Sequence, residues 1–158
     1  MEYREVLAAR HSVRKFTDRS IDREIIDEMI EEAQSAPSSR NSKSTGFMIV
    51  DDRSTLEAIA EMRESGSSFV AGAAAAIVVL GDESKTDLWV DNCAISTTYL
   101  MLSAVDKGLG SCWVHVNGRP RSKTDKSKGL AEDYLRDLLG IKDNMRVLCV
   151  LALGYEAD

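Results

Sequence analysis

Three short stretches of the chain hold residue types that could do chemistry. The first is Arg10-His11-Ser12-Val13-Arg14, two guanidinium groups and a hydroxyl within five residues. Arginine presents a planar fork of donors that matches phosphate oxygens, and serine adds a neutral donor, so this stretch suits a phosphate-bearing ligand. A solvated basic turn is the plainer reading of the same residues. The second stretch is Pro37-Ser38-Ser39-Arg40-Asn41, where small polar side chains and backbone amides converge. Asn41 both donates and accepts, as a heterocycle edge of alternating C=O and N–H groups requires. An ordinary helix-to-strand loop fits it too. The third, Gly108-Leu109-Gly110-Ser111-Cys112-Trp113-Val114-His115, lacks the third glycine of a dinucleotide-binding fingerprint. It also follows a helix and precedes a strand, the reverse of that fingerprint's context. Its glycines permit a tight turn and a close backbone approach.

These stretches need elements to position them. Tyr3, Val6 and Leu7 share one face of a helix expected from about Glu2 to Ala9. Asp22 as N-cap, an Ile21–Ile26 staple, and Ile25, Ile26, Met29, Ile30 and Ala33 at helical spacing predict a second helix, limited by Pro37. Phe47–Val50 reads as a strand buried on both faces, and Ala75–Leu80 as another. Between them, Ser54-x-x-Glu57 reads as a capping box that opens a short helix to about Met62. A long helix is expected from about Asp87 to Lys107, ~31 Å at the usual rise, with Gly108 as its left-handed C-cap. Trp89, Val90, Cys93, Ala94, Leu100, Met101, Ala104 and Val105 populate more than one of its faces. Such a helix must be covered on most sides, and a chain this short leaves few elements to do so, which points to a second copy. Gly110–Val116 reads as a strand, about Leu130–Leu139 as a helix stopped by Gly140, and Arg146–Gly154 as a final strand. Helices and strands mix without strict alternation, which is the α+β class.

The 158 residues amount to one domain's length. Hydrophobic content of 44% with 29% charged residues is ordinary for a globular protein, and 2 Pro with 10 Gly exclude collagen-like and Pro-rich chains. The 20 basic against 26 acidic residues leave a net charge of −6, which gives no support for nucleic-acid or anionic-membrane binding. Cys93, Cys112 and Cys149 are widely spaced in apolar surroundings and read as free buried thiols, without the close pairs a metal site uses. The charged start of the chain has no apolar leader, so a cytoplasmic location is expected. Asn117–Lys128 is a polar loop with Arg119, Arg121, Lys123, Lys126 and Lys128 against Asp125.

In their order and spacing, the three stretches and the closing Ala152-Leu153-Gly154-Tyr155 resemble the FMN-dependent nitroreductase family over nearly the whole chain. The resemblance implies a mixed, largely antiparallel sheet flanked by helices, and an obligate homodimer with FMN at the interface. It places Arg10 and Ser12 at the phosphate and ribityl end, with His11 contributing through its backbone. Arg14 would stand near N1 and the C2 carbonyl, where a fixed cation stabilises the charge of a reduced flavin. Pro37, Ser38, Ser39 and Asn41 would reach the flavin from the other subunit. The backbone around Trp113, Val114 and His115 would lie near N5 and O4. His115 itself is open to three roles: proton donor, flavin packing, or structure.

Two departures stand out. Many family members continue after Asn-Ser with Gln-Pro-Trp, where this chain has Lys43-Ser44-Thr45. Members also commonly follow the last strand with a basic tail that completes the phosphate clamp, whereas here the residues are Tyr155-Glu156-Ala157-Asp158. Losing one charge-assisted contact costs about 1.5–3 kcal/mol, and the loop Arg119–Lys128 is a candidate replacement or a site for the phosphates of NAD(P)H. The implied activity is oxidoreduction, with NAD(P)H as donor and a nitroaromatic, quinone or activated alkene as acceptor. A non-catalytic flavin-storage protein, and a branch specialised for reductive dehalogenation or flavin degradation, are the rivals.

Overall fold

The computed structural model describes residues Met1–Asp158. Nine regular elements follow in order: α1 (Tyr3–Ala9), α2 (Arg23–Gln34), β1 (Thr45–Val50), α3 (Arg53–Ala60), β2 (Ala75–Asp82), α4 (Trp89–Asp106), β3 (Gly110–His115), α5 (Ala131–Leu139) and β4 (Met145–Gly154). The strands form one sheet in the order β1-β2-β4-β3, antiparallel at every pairing. The parallel component is an isolated bridge between Ser12, outside the named strands, and Ser111 of β3. The class is α+β, with a layer of helices on each face of the sheet.

Side-chain alternation along the central strands builds the two cores. Ala76, Val78 and Leu80 of β2 face Leu56 and Ile59 of α3 and Leu135 of α5. Ala75, Ile77 and Val79 face Ile26, Met29 and Ala33 of α2 and Leu100 and Ala104 of α4. Both central strands are therefore apolar on successive residues, as a strand covered on two faces must be. A bulge between Val79 and Leu80 leaves Leu148 of β4 without a cross-strand partner. The Leu148 carbonyl accepts from Val116 N–H at 3.0 Å and Asn117 N–H at 3.1 Å, ending β3 there.

Several expectations are corrected locally. Phe47–Val50 belongs to an edge strand and is mostly half-buried, because β1 has a neighbour on one side alone. Helix α3 is capped by Asp52, whose carboxylate accepts from Thr55 N–H at 2.9 Å; Ser54 hydrogen-bonds to that carboxylate and opens no capping box with Glu57. Asp22 sits at the N-cap position of α2 with extended backbone but makes no side-chain cap hydrogen bond. Helix α4 is shorter at each end than the apolar pattern predicts.

Helix α4 is covered on one side only. Trp89, Cys93, Leu100 and Ala104 are buried, while Ile95 and Tyr99 are each 38% exposed. Tyr3 and Leu7 of the neighbouring α1 are 69% and 47% exposed. Two polar devices then lock the layers. Glu132 of α5 accepts from Arg146 Nε at 2.8 Å, Arg136 at 3.2 Å and Val147 N–H at 3.1 Å. Burial pushes its carboxyl upward, and these donors outweigh that and hold it below the usual carboxylate range.

The second device is Asn92, 2% exposed on α4. Its Oδ1 accepts from Ser39 N–H at 2.9 Å, and its Nδ2 reaches the hydroxyls of Ser39, Ser42 and Ser44 at 3.1, 3.2 and 2.9 Å. One buried carboxamide thus ties the Ser39–Ser44 loop to α4. Asn92→Ala is expected to lower stability by about 2–3 kcal/mol, since it leaves the loop's inward donors and acceptors unpaired. A denaturant midpoint measures that cost, and hydrogen exchange should quicken most at the Ser39 amide.

Candidate active site

The turn after α1 is built by alternation. Arg10 ends the helix with extended backbone, and the chain then lies along the free edge of β3. Val13 is buried and donates its N–H to the Ser111 carbonyl at 2.9 Å. Gly110 makes this approach possible: a Cβ there would stand 2.8 Å from Val13. With Val13 directed inward, Ser12 and Arg14 face outward, and Arg10, His11, Ser12 and Arg14 are all exposed. No ion pair within the chain engages Arg10 or Arg14. The His11 ring has two partners of its own within the chain. Its Nδ1 lies 2.9 Å from the Ala9 carbonyl and its Nε2 lies 2.9 Å from Glu156 Oε1. A shallow cavity of about 200 Å³ opens here, lined by Ala9, His11, Gly108, Ser111 and Glu156 among others.

Next along β3 come Trp113, Val114 and His115. The Val13–Ser111 bond shows that the Ser111 carbonyl points away from β4. With a period of two, the backbone groups of Trp113 and His115 turn to that same free edge, while those of Val114 pair with β4. The Val114 side chain is buried against the α3–α5 core and presents nothing outward. Trp113 and His115 stack with centroids 6.2 Å apart, and Trp113 Nε1–H donates to His115 Nδ1 at 3.2 Å. A ring nitrogen that accepts carries no proton, so this imidazole is neutral. Burial lowers the His115 pKa, and Arg119 and Arg63 lower it further. A neutral imidazole is a poor proton donor.

The Pro37–Asn41 loop lies elsewhere. It leads into β1, whose Thr45 pairs with Gly81 and so aligns with Arg146 of β4, whereas Gly110 of β3 aligns with Gly154. That offset is roughly 27 Å along β4 at 3.4 Å per residue, and β1 and β3 are opposite edges of the sheet. One chain therefore brings the Arg10–Arg14 turn to β3 but does not bring the Pro37–Asn41 loop to either. Arg40, Asn41 and Lys43 adopt left-handed backbone with φ of 51°, 52° and 48°. Such residues persist where the surroundings over-determine them, and here Asn92 does so. Arg40 and Asn41 are exposed, whereas Ser38 Oγ accepts from Lys43 N–H at 3.1 Å and Ser39 Oγ meets Thr86 at 3.3 Å. Ser44, one of the residues that departs from the resembled pattern, is buried on Asn92.

Two of the five cations of the basic loop are engaged, while Arg119, Lys123 and Lys126 are exposed and make no ion pair. Lys128 pairs with Glu64 at 2.6 Å, and Arg121 donates to the Glu61 and Met62 carbonyls at the end of α3 while lying 4.0 Å over the Tyr134 ring. A cavity of about 640 Å³ beside them includes Glu57, Glu61 and Glu64 as well as Arg63, so its charges balance. The loop follows the far end of β3, away from Ser111, so in one chain it does not replace a phosphate-clamping tail. The three cysteines are buried and free, with burial raising Cys93 to about 11 and Cys149 to about 12. Sequence reasoning missed Asn92, although a polar residue among the apolar positions of α4 was a usable signal. It also assigned no contact to Glu156, which only the path of the chain brings to His11.

The Nitroreductase family model matches residues 7–65 and 61–155. A protein of Archaeoglobus fulgidus with the provisional name NADH dehydrogenase/NAD(P)H nitroreductase is 35% identical over 97% of this chain and 84% of its own length. The solved structure of an FMN-dependent nitroreductase from Clostridium difficile R20291 superposes with a TM-score of 0.90 at 32% identity, covering 97% of this chain and 87% of that one. A provisionally named NADH dehydrogenase/NAD(P)H nitroreductase from Parabacteroides distasonis gives a TM-score of 0.89 at 31% identity, over 100% of this chain and 89% of that one. The clamped basic turn, the glycine-led edge strand and the antiparallel sheet between two helical layers therefore have one common explanation: the chain belongs to the nitroreductase family.

Proposed function

We propose that two copies of this chain form an FMN-dependent oxidoreductase that uses NAD(P)H to reduce an electron-poor acceptor, such as a nitroaromatic, a quinone or an activated alkene. The observation that carries this reading is the Arg10–Arg14 turn clamped directly beside the unpaired backbone edge of β3. The donor set fits FMN: guanidinium and hydroxyl groups without ion-pair partners at one end, and backbone N–H groups free for a ring edge at the other. When bound, FMN supplies a two-electron carrier whose N5 takes hydride from NAD(P)H and gives it to the acceptor.

The chain's own residues bind and orient. Arg10 and Ser12 hold the phosphate by charge-assisted and neutral hydrogen bonds. Arg14 holds a fixed positive charge beside N1 and the C2 carbonyl, where negative charge gathers on reduction. The outward amides of Trp113 and His115 meet the N5–O4 edge, and the stacked side chains help exclude water. No side chain is assigned a proton-transfer step. The second copy contributes Pro37, Ser38, Ser39 and Asn41, which one chain holds at the opposite edge of its sheet. Tyr3, Leu7, Ile95 and Tyr99 form the apolar face that the second copy covers.

The absorption spectrum of the FMN-reconstituted protein, taken before and after anaerobic NAD(P)H, tests the activity. A yellow band that bleaches with reductant and returns with acceptor is expected. A bound flavin that NAD(P)H does not reduce would favour the storage protein. Arg14→Ala should make the flavin potential more negative by roughly 30–60 mV, as loss of about 1.4–3 kcal/mol of charge stabilisation in a two-electron couple requires; an unchanged potential removes Arg14 from the ring. Wild-type protein should sediment as a dimer and Ile95→Asp/Tyr99→Asp as a monomer with much weaker FMN binding. A dimer that survives both substitutions would place the interface elsewhere.

A further inference from the structure

The C-terminal segment brings a carboxylate to the same turn. The Tyr155 carbonyl accepts from Thr17 N–H at 2.8 Å, and Ala157 N–H donates to the Lys15 carbonyl at 3.0 Å. An antiparallel bridge between Phe16 and Glu156 joins these bonds, and Gly154 allows it, since a Cβ there would lie 2.6 Å from the Phe16 ring. Glu156 is thereby held beside the turn by backbone pairing, with its Oε1 2.9 Å from His11 Nε2.

The hydrogen-bond chemistry fixes the charge of this pair. His11 Nδ1 faces the Ala9 carbonyl, which can only accept, and Nε2 faces a carboxylate, which accepts when ionised. Both ring nitrogens must donate, so His11 is an imidazolium while Glu156 is ionised. The hydrogen bond to Glu156, then that to the Ala9 carbonyl, raises the His11 pKa from its ordinary value. The turn therefore holds three cations, Arg10, His11 and Arg14, and Glu156 already neutralises one of them. It is the one acidic side chain that pairs with any of the three.

We propose that Glu156 is a resident counter-ion of the phosphate-binding turn, which competes for His11 and repels an incoming phosphate that Arg10 and Ser12 would hold. The proposal rests on the FMN reading of the site and adds a determinant to it. Glu156 makes the phosphate end of the site weaker than its donors alone would make it. Glu156 pairs with His11 and makes no ion pair with Arg14, the cation of the ring end. The penalty therefore falls on flavins that carry a phosphate and spares those that do not.

Titration of the full-length protein with FMN and with riboflavin, which has the same ring and no phosphate, tests this. Fluorescence quenching at about pH 6 keeps His11 largely cationic once its partner is removed. Glu156→Gln is expected to tighten FMN about tenfold, as removing one negative charge beside a bound phosphate predicts. Riboflavin affinity should stay within about twofold. Glu156→Lys should tighten FMN further, in the order Lys, Gln, Glu. Unchanged FMN affinity in both variants, or equal tightening of both flavins, would overturn the counter-ion while leaving the FMN reading in place. Absence of saturable FMN binding in wild type and in both variants would instead overturn the FMN reading, and the counter-ion with it.

Discussion

No Cβ fits between Gly110 and Val13, and the candidate site depends on that contact. The absence of a side chain at Gly110 lets the segment after α1 lie against β3 closely enough for Val13 N–H to reach the Ser111 carbonyl at 2.9 Å. Once Val13 is buried, period-two alternation sends Ser12 and Arg14 outward without further instruction. The same bond assigns the free backbone groups of β3 to Trp113 and His115. One close approach therefore sets the direction of the cations, the hydroxyl and the edge amides together. A bulkier residue at position 110 would push the turn away and misalign all of them.

The second half of the proposed site is stabilised differently. The Pro37–Asn41 loop has no strand to lie on, and three of its non-glycine residues or their neighbours adopt left-handed backbone. Its conformation is held by the buried Asn92, whose Oδ1 accepts from one amide and whose two Nδ2 hydrogens are shared among three serine hydroxyls. A fully partnered buried carboxamide is rigid because every alternative loses hydrogen bonds that water cannot replace there. This explains why Ser44 is tolerated at a departure from the family's usual residues. Asn41 itself stays exposed beside this network.

Electrostatics in this chain are local. The net charge of −6 opposes anion binding in general, yet Arg10 and Arg14 lack ion-pair partners and are concentrated in one turn. In the other basic cluster, Arg119–Lys128, Arg121 docks on the end of α3 and on Tyr134 of α5 and Lys128 pairs with Glu64, which leaves Arg119, Lys123 and Lys126 exposed. Positive charge at two places in the sequence thus serves two ends, and only packing distinguishes them. Glu156 is the counterpart: an unremarkable acid near the last residue becomes the partner of His11 because the chain turns back along Lys15–Thr17.

Much of the fold was legible because its signals are local. The apolar runs at Ala75–Leu80 and Arg146–Gly154, the 3.6-residue period of α2 and the stop at Gly140 each depend on neighbours in sequence, and each element lies within a residue or two of its expected place. The half-buried state of β1 was not legible, since edge or centre depends on which strands pair. Nor was the cap of α3, because Asp52 and Ser54 are equally good capping residues and the backbone selects between them. The turn, loop and edge-strand residues could be nominated from their types and spacing alone. Which of them meet is a property of strand order: β1 and β3 end on opposite edges, so one chain unites the turn with β3 and keeps the loop apart. Residue types determine what a group can bind, and only the long-range pairing of β4 between β2 and β3 decides where that group stands.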